Sequence, residues 1–344
     1  MNGNSTWRRR ATQLIVGVAL IMATSAQADE TINVFARIDN DLFTGTDREY
    51  TSGVEAGFTT ATVDSFDHAG FAPSLRRTNR ALRWLQPKGF DENNVTWKIG
   101  QLMFTPADGH LEKPDPRDRP YAGLLFAGLT YNSRDSRSLR STSLDVGIVG
   151  PSALARQTQN LVHKVVGADR FLGWDHQLDD EPVFRVLHQR FRRWDVGRSR
   201  RFSDVTVHYG GSVGNLASFA NAGGELRIGR RLPDNFGTAT TLSYGQNTAP
   251  TRWRGSTSGQ SIHGFLAIDT RAVLHDITLD GNTWRDSANV RRELYVAEVA
   301  LGVALDWRGW QTTVGATYRT KEYETQAGDT SFGTVTFRRA LVRR

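Results

Sequence analysis

The feature that most constrains this chain is a two-residue alternation, sustained over segments far longer than the strands of an ordinary soluble sheet. From Leu294 to Trp307 one face reads Tyr295, Ala297, Val299, Leu301, Val303, Leu305 and Trp307. The other reads Leu294, Val296, Glu298, Ala300, Gly302, Ala304 and Asp306. Period two sends alternate side chains to opposite faces of a β-strand, and strands in globular proteins usually run to about five or six residues. After Arg308-Gly309 the pattern resumes, with Trp310, Thr312, Val314, Ala316 and Tyr318 on one side and Gln311, Thr313, Gly315, Thr317 and Arg319 on the other. Aromatic residues bracket both apolar faces, as interfacial girdles bracket the lipid-facing band of a transmembrane β-barrel. A large soluble β-sandwich accounts for the strand length but not for the aromatic placement.

Segments of this kind centre near residues 31–38, 48–60, 95–104, 120–132, 140–149, 183–193, 202–212, 217–230, 260–273, 292–307, 310–320 and 331–342. The expected fold is therefore all-β, a transmembrane antiparallel β-barrel of about 12 strands. Its connections are expected to alternate between tight turns and long polar loops, as in outer-membrane barrels.

The first 28 residues stand apart. Arg8-Arg9-Arg10 makes a basic n-region, Leu14 to Ala23 an apolar h-region, and Ala26-Gln27-Ala28 a cleavage site, the pattern of a secretory signal peptide. The apolar run is well short of the ~20 residues a membrane-spanning helix needs. Residues 1–28 are thus read as a signal and 29–344 as one barrel domain. Without the signal's arginines the net charge of +7 falls to +4, a mild basic excess. No basic block stands apart from strand-like sequence, so nucleic acid is not an expected partner. The short arginine-rich pieces 76–83, 190–201 and 338–344 suit an anionic lipid surface or a solvated rim equally well. The chain has no cysteine, which excludes disulfides, zinc–thiolate sites and a cysteine nucleophile.

One connection carries helical punctuation. Pro151 opens and Gly167 closes a stretch in which Leu154, Leu161, Val162 and Val165 make an apolar stripe, predicted to pack on the barrel wall. Gln159 and His163, four residues apart, share a neighbouring face. A lone helical histidine is more often structural, but a neutral imidazole can also take a proton from water. The second polar concentration runs from Asn40 to Gly53, with Asp41, Asp47 and Glu49 among Thr44, Thr46, Thr51 and Ser52. Turn chemistry explains its middle. Its carboxylates and amide oxygen are hard donors of the kind Ca²⁺ takes, although their spacing is not that of an EF-hand. Together the two suggest a histidine-activated water and a cation-stabilised oxyanion at an ester. No Gly-x-Ser-x-Gly elbow is present for the α/β-hydrolase route.

In order along the chain come Asn40-Asp41, Thr46-Asp-Arg-Glu-Tyr-Thr-Ser-Gly53, Asp118-Arg-Pro-Tyr-Ala-Gly123 and Gly147-Ile-Val-Gly-Pro-Ser152. Gln159 with His163, Gly173-Trp-Asp-His-Gln-Leu178 and Asp180-Glu-Pro182 follow. This ordered set resembles the outer-membrane lipid A 3′-O-deacylase family (LpxR-type). The resemblance implies a twelve-stranded barrel with its active site between the outer wall and a loop helix. It also implies Ca²⁺-dependent hydrolysis of the 3′-linked acyloxyacyl chain of lipid A, by a chain that lives among outer-membrane lipids as a monomer. Carried over by motif, His163 is the general base and Asn40 and Asp41 belong to the active site. Thr51 and Gln159 lie near the cation or the oxyanion, so Asp41, Thr51 and Gln159 are the candidate metal ligands. Asp169 stands where the family has an acidic residue that orients the histidine, and Lys98 is a loose match to a family lysine. Trp174 is expected either at a rim that touches substrate or, preferably, as an interface anchor. Asp118 to Gly123 is read as a structural turn with Pro120 at a strand's first position.

Two other readings compete. One is a non-catalytic structural or transport barrel, which needs none of these motifs. The other is an outer-membrane phospholipase of the Ser-His-Asn type, which needs a serine, Ser152 or Ser52, within reach of His163.

Overall fold

The computed structural model describes residues 31–40, 49–167, 169–197, 202–238 and 260–342. The signal segment and Asp41 lie outside the described residues, as do the side chains of Glu49, Tyr50, Thr51 and Val165.

Every alternating segment forms a strand. The strands are β1 (Thr31–Asn40), β2 (Glu49–Thr59), β3 (Glu92–Thr105), β4 (Ala122–Arg134), β5 (Ser138–Val149) and β6 (Glu181–Asp195). They continue as β7 (Ser203–Val213), β8 (Ala217–Arg230), β9 (Ser261–Asp276), β10 (Tyr295–Trp307), β11 (Trp310–Arg319) and β12 (Thr330–Val342). Each pairs antiparallel with its neighbours in sequence, and β1 closes on β12. The tightest hairpin shows how the chain encodes this. Trp307 pairs with Trp310, leaving Arg308 and Gly309 at φ 50° and 81°, the left-handed pair that a two-residue hairpin of matching twist requires.

Alternation resolves into an apolar exterior and a polar interior. On β10, Val299, Leu301, Val303 and Leu305 are exposed while Glu298, Ala300, Ala304 and Asp306 are buried. In water such a band would be a large aggregation-prone patch; in a bilayer it is the solvated surface. The interior is filled by ion pairs. Lys98 reaches Glu55 (3.4 Å) and Asp145 (3.5 Å), and Arg185 also holds Asp145 (2.8 Å). Arg319 bridges Glu298 (2.8 Å) and Glu322 (3.2 Å), and Arg227 clamps Asp204. Gly128 makes room for one of these, because a Cβ there would stand 2.3 Å from Asp145 Oδ1 and 2.5 Å from Lys98 Cε. Breaking a buried pair strands a charge at a cost of roughly 3–5 kcal/mol. The described lumen is thus cross-linked rather than lined like an aqueous pore.

Tight turns and long loops do not separate between the two ends as expected. One end carries the connections 41–48, 106–121, 150–180, 214–216, 277–294 and 320–329. The other carries the chain ends together with 60–91, 135–137, 196–202, 231–260 and 308–309. The long connection 60–91 folds back onto the outer wall and contains helix α1 (Pro73–Ala81). Its Phe66 and Leu85 pack against Val95, Leu129 and Tyr131. Asn79 pins it by donating to the Phe66 carbonyl (2.6 Å) and accepting from the Tyr131 hydroxyl (3.0 Å).

Candidate active site on the outer wall

The predicted helix over 151–166 is interrupted. Pro151–Ala153 is a single 3₁₀ turn, Leu154 is left-handed at φ 61°, and helix α2 runs from Ala155 to Val166. Gly167 ends it at φ 76°, its N–H donating to the His163 carbonyl. The start of α2 is seated on the barrel by Gly123, where a Cβ would come within 2.5 Å of the Ala155 Cβ. Gln101 Nε2 donates to the Ala153 carbonyl (2.6 Å), and Asp180 accepts from the Ser152 amide (2.7 Å) and hydroxyl (2.6 Å).

The face that α2 turns to the wall is the reverse of the expected one. Ala155, Gln159 and His163, at i, i+4 and i+8, are buried, whereas Leu154, Leu161 (64% exposed) and Val162 point away. The physical reason is the surroundings. Outside a membrane barrel the medium is lipid, so aliphatic side chains can face outward. Polar ones must find partners on the protein.

Gln159 finds one in Trp174, whose indole Nε1–H donates to the Gln159 Oε1 at 2.5 Å. Because an indole N–H can only donate, the amide orientation is fixed. Its Nε2 is buried and, among the described residues, has no hydrogen-bond partner. Trp174 itself is fully buried with Met103, Tyr121, Ala155 and Phe171, its ring 4.9 Å from that of Tyr121. That corrects the expectation of a rim contact or interface anchor. The indole lies beneath the helix, where its one polar atom is used to orient Gln159. Burial pushes the Tyr121 phenol up to about 12, so it remains protonated.

His163 is 3% exposed, edge-on to Phe171 with centroids 5.3 Å apart. Its Nδ1 meets the main-chain carbonyl of Asp169. A carbonyl can only accept, so Nδ1 carries the proton and Nε2 of the neutral ring carries the lone pair. The orientation expected from the Asp169 carboxylate comes instead from its backbone; the residue itself is exposed.

Strand register gathers the remaining candidates. Asn40 pairs with Ser52, Ser52 with Met103 and Met103 with Gly123, forming one row across β1 to β4 at the end opposite the chain ends. On β1, Phe35, Arg37 and Asp39 are buried toward the lumen and Ile38 is exposed, so Asn40 follows on the outward face. The β2–β3 register shifts between Tyr50 and Ser52, placing Thr51 at a bulge beside this row. Helix α2 stands over its Met103–Gly123 end. Lys98 is not brought here, since its ion pairs lie in the lumen.

The Asp118–Gly123 motif buttresses the site. Asp118 accepts from the Ala107 amide (2.8 Å) and the Tyr323 hydroxyl (2.5 Å), while Arg119 donates to Glu322 and Thr278, each at 3.2 Å. Burial disfavours the Glu322 carboxylate, but Arg319, Arg119 and Arg271 outweigh it and hold the group at about 2. Strand β4 begins at Ala122, two residues past Pro120, because residues 118–121 serve this clasp rather than the ladder. Sequence reasoning missed Tyr121, Met103 and the Ser152–Asp180 tie. Only the aromatic in Pro-Tyr-Ala-Gly hinted at the first.

Among the described residues no group of three or more His, Asp or Glu is arranged to hold a metal ion. The candidate donors near Asn40 are oxygen atoms without sulfur, a set whose chemistry fits Ca²⁺. Gln159 fits that role poorly, because its amide oxygen is engaged by Trp174 and its NH₂ faces away from that bond.

A family model described as outer membrane protein LpxR matches residues 13–341. The solved structure of LpxR from Salmonella typhimurium aligns with a TM-score of 0.70 and 17% identity, covering 90% of this chain and 100% of that one. At that identity the likeness speaks to the fold. The β-domain of the Bordetella autotransporter BrkA (TM-score 0.35, 9% identity, 91% and 99% covered) is far more distant, and nothing rests on it. The same holds for the NalP translocator domain from Neisseria meningitidis (0.37, 10%, 98% and 98%). No curated protein matches the chain.

Proposed function

From the premise that the chain belongs to the LpxR family of outer membrane proteins, at family level lipid A deacylases, we propose that it hydrolyses the ester carrying the 3′-acyloxyacyl chain of lipid A. The observation that carries this reading is the buried pair on α2. His163 has its Nε2 lone pair left for a proton, and Gln159 has an amide NH₂ fixed in place without a partner among the described residues. Both sit on the lipid side of the wall, on the inward face of a helix whose aliphatic edge faces outward.

In this mechanism His163 Nε2 takes a proton from water as the oxygen attacks the ester carbonyl. The Gln159 NH₂ donates to the oxyanion of the tetrahedral intermediate. When that intermediate collapses, the C–O bond to the sugar breaks and the imidazolium returns its proton to the leaving alkoxide, giving a free fatty acid and a sugar hydroxyl. Asn40, Asp41 and Thr51 would hold Ca²⁺, which when bound polarises the carbonyl as a Lewis acid. Trp174 positions Gln159, and the Asp169 carbonyl holds the imidazole tautomer.

The ion-paired lumen disfavours a transport barrel. Ser152 gives its hydroxyl to Asp180, so for a serine-dependent phospholipase only Ser52, on the same wall row, remains. A fluorophosphonate that labels Ser52 would favour that second reading. The primary test is mass spectrometry of lipid A from a lipid-A-producing host with and without the chain, where loss of a whole acyloxyacyl unit is expected. An unchanged lipid A profile opposes the proposal.

A further inference from the structure

The end of the barrel that bears the chain ends carries a feature the reaction does not use. Arginines there lie over exposed aromatic rings on the outer face. The guanidinium carbon of Arg308 sits 4.8 Å from the ring centroid of Trp307, and that of Arg339 4.8 Å from Trp310. Arg192 sits 5.7 Å from Trp194. All three tryptophans are exposed, at the border where the aliphatic band of the wall stops.

Helix α1 widens this collar. Its inner side is held to the wall through Asn79, and its outer side presents Arg77, Arg80 and then Arg83 with Trp84, the last 70% exposed. The acidic group that meets this helix is Asp67, paired with Arg76 (3.3 Å) and more loosely with Arg80 (3.9 Å). Arg77 and Arg83 have no ion-pair partner among the described residues. Nothing in folding requires a tryptophan to stand in the open beside unpaired arginines. A membrane interface rewards that combination. Indoles settle at headgroup depth, and a guanidinium offers a planar fork matched to phosphate oxygens.

We propose that this arginine–tryptophan collar, with α1 as its broadest part, binds the phosphate headgroups of anionic phospholipids in the leaflet at the chain-end side of the barrel. Two arguments select that occupant. The surface is continuous with the lipid-facing band, so whatever covers the band reaches the collar. Its positive charge complements a headgroup layer of net negative charge, which a zwitterionic surface does not present. The helix lies in the headgroup plane, as a short basic amphipathic segment does, and clamps the barrel at a fixed depth. This proposal is independent of the deacylase reading, which concerns the opposite end.

The test uses the full chain in nanodiscs of mixed phosphatidylglycerol and phosphatidylcholine, with retained lipid counted by mass spectrometry after detergent exchange. The Arg77→Gln/Arg80→Gln/Arg83→Gln variant should retain less phosphatidylglycerol by on the order of tenfold, and the difference should shrink with salt. Arg285→Gln/Arg291→Gln, at the other end, should retain as much as the unmodified chain. Heat-modifiable gel migration checks that each barrel is folded. Trp84→Phe gives a second reading: brominated phosphatidylglycerol should quench the Trp84 contribution to fluorescence more than brominated phosphatidylcholine does. Equal retention of phosphatidylglycerol by the triple variant, or equal quenching by the two lipids, would each overturn the assignment.

Discussion

Replacing Trp174 with phenylalanine isolates what the buried indole does. The substitution keeps an aromatic ring against Tyr121 and removes the N–H that donates to the Gln159 Oε1 at 2.5 Å. Losing that bond leaves a buried amide oxygen unsatisfied, a stability cost of about 1–3 kcal/mol. The catalytic effect follows from orientation. A neutral hydrogen bond worth about 0.5–1.5 kcal/mol biases the amide roughly 2- to 13-fold toward presenting its NH₂ to the site. Without it the carbonyl oxygen competes for that position, where it repels an oxyanion. We therefore expect kcat to fall about 2- to 13-fold with KM nearly unchanged. Removing the donor outright, in Gln159→Ala, should cost about 10²–10³. Gln159→Glu should resemble the alanine variant, since a carboxylate can still accept from Trp174 but offers no N–H to the oxyanion. The assay is release of fatty acid from purified lipid A in detergent micelles, on variants whose barrel shows heat-modifiable migration. Unchanged kcat in Trp174→Phe, or full activity in Gln159→Glu, would refute the positioning argument.

Other outcomes follow from the same geometry. Gly123→Val should lift α2 from the wall, because its Cβ has 2.5 Å of room against Ala155; activity should fall at least tenfold while barrel migration is retained. The clasp of loops 106–121 and 320–329 should be pH-dependent in one direction. Glu322 is held at about 2, below its ordinary 4.5, so its contribution is complete above pH 4.5 and lost as pH falls through 2. Hydrogen exchange in those loops should thus be unchanged between pH 8 and 5 after correction for intrinsic rates, and rise progressively below. Excess EGTA should abolish deacylation without altering the barrel; undiminished turnover would remove the cation from the scheme and leave the His163–Gln159 pair in it.

Much of the architecture was legible because a period of two is enforced along every strand. A lumen-facing Glu298 and a lipid-facing Val299 cannot exchange places without exchanging the whole strand. All twelve segments were placed to within a few residues. The loop helix was legible as an element but not in its orientation. Leu161 and Val162 read as a core-facing stripe only if the medium is water, and here it is lipid. The break at Leu154 left no sequence signal, since a left-handed leucine is tolerated only for the tertiary contacts around it. Gln159 and His163 stood out by spacing, whereas Trp174 was misread because tryptophan is common at membrane interfaces and equally at home in a core. The register sets Asn40 opposite Ser52, one residue along the strand from Thr51. Asp41 lies outside the described residues, so its part in the site remains a proposal resting on the motif.

The most direct measurement compares lipid A masses from a lipid-A-producing host expressing the unmodified chain and its His163→Ala variant, both confirmed as folded barrels in the outer membrane. The account predicts loss of the complete 3′-acyloxyacyl unit with the unmodified chain and intact lipid A with the variant. The same truncated lipid A from both would contradict it, for the water would then be activated by something other than His163.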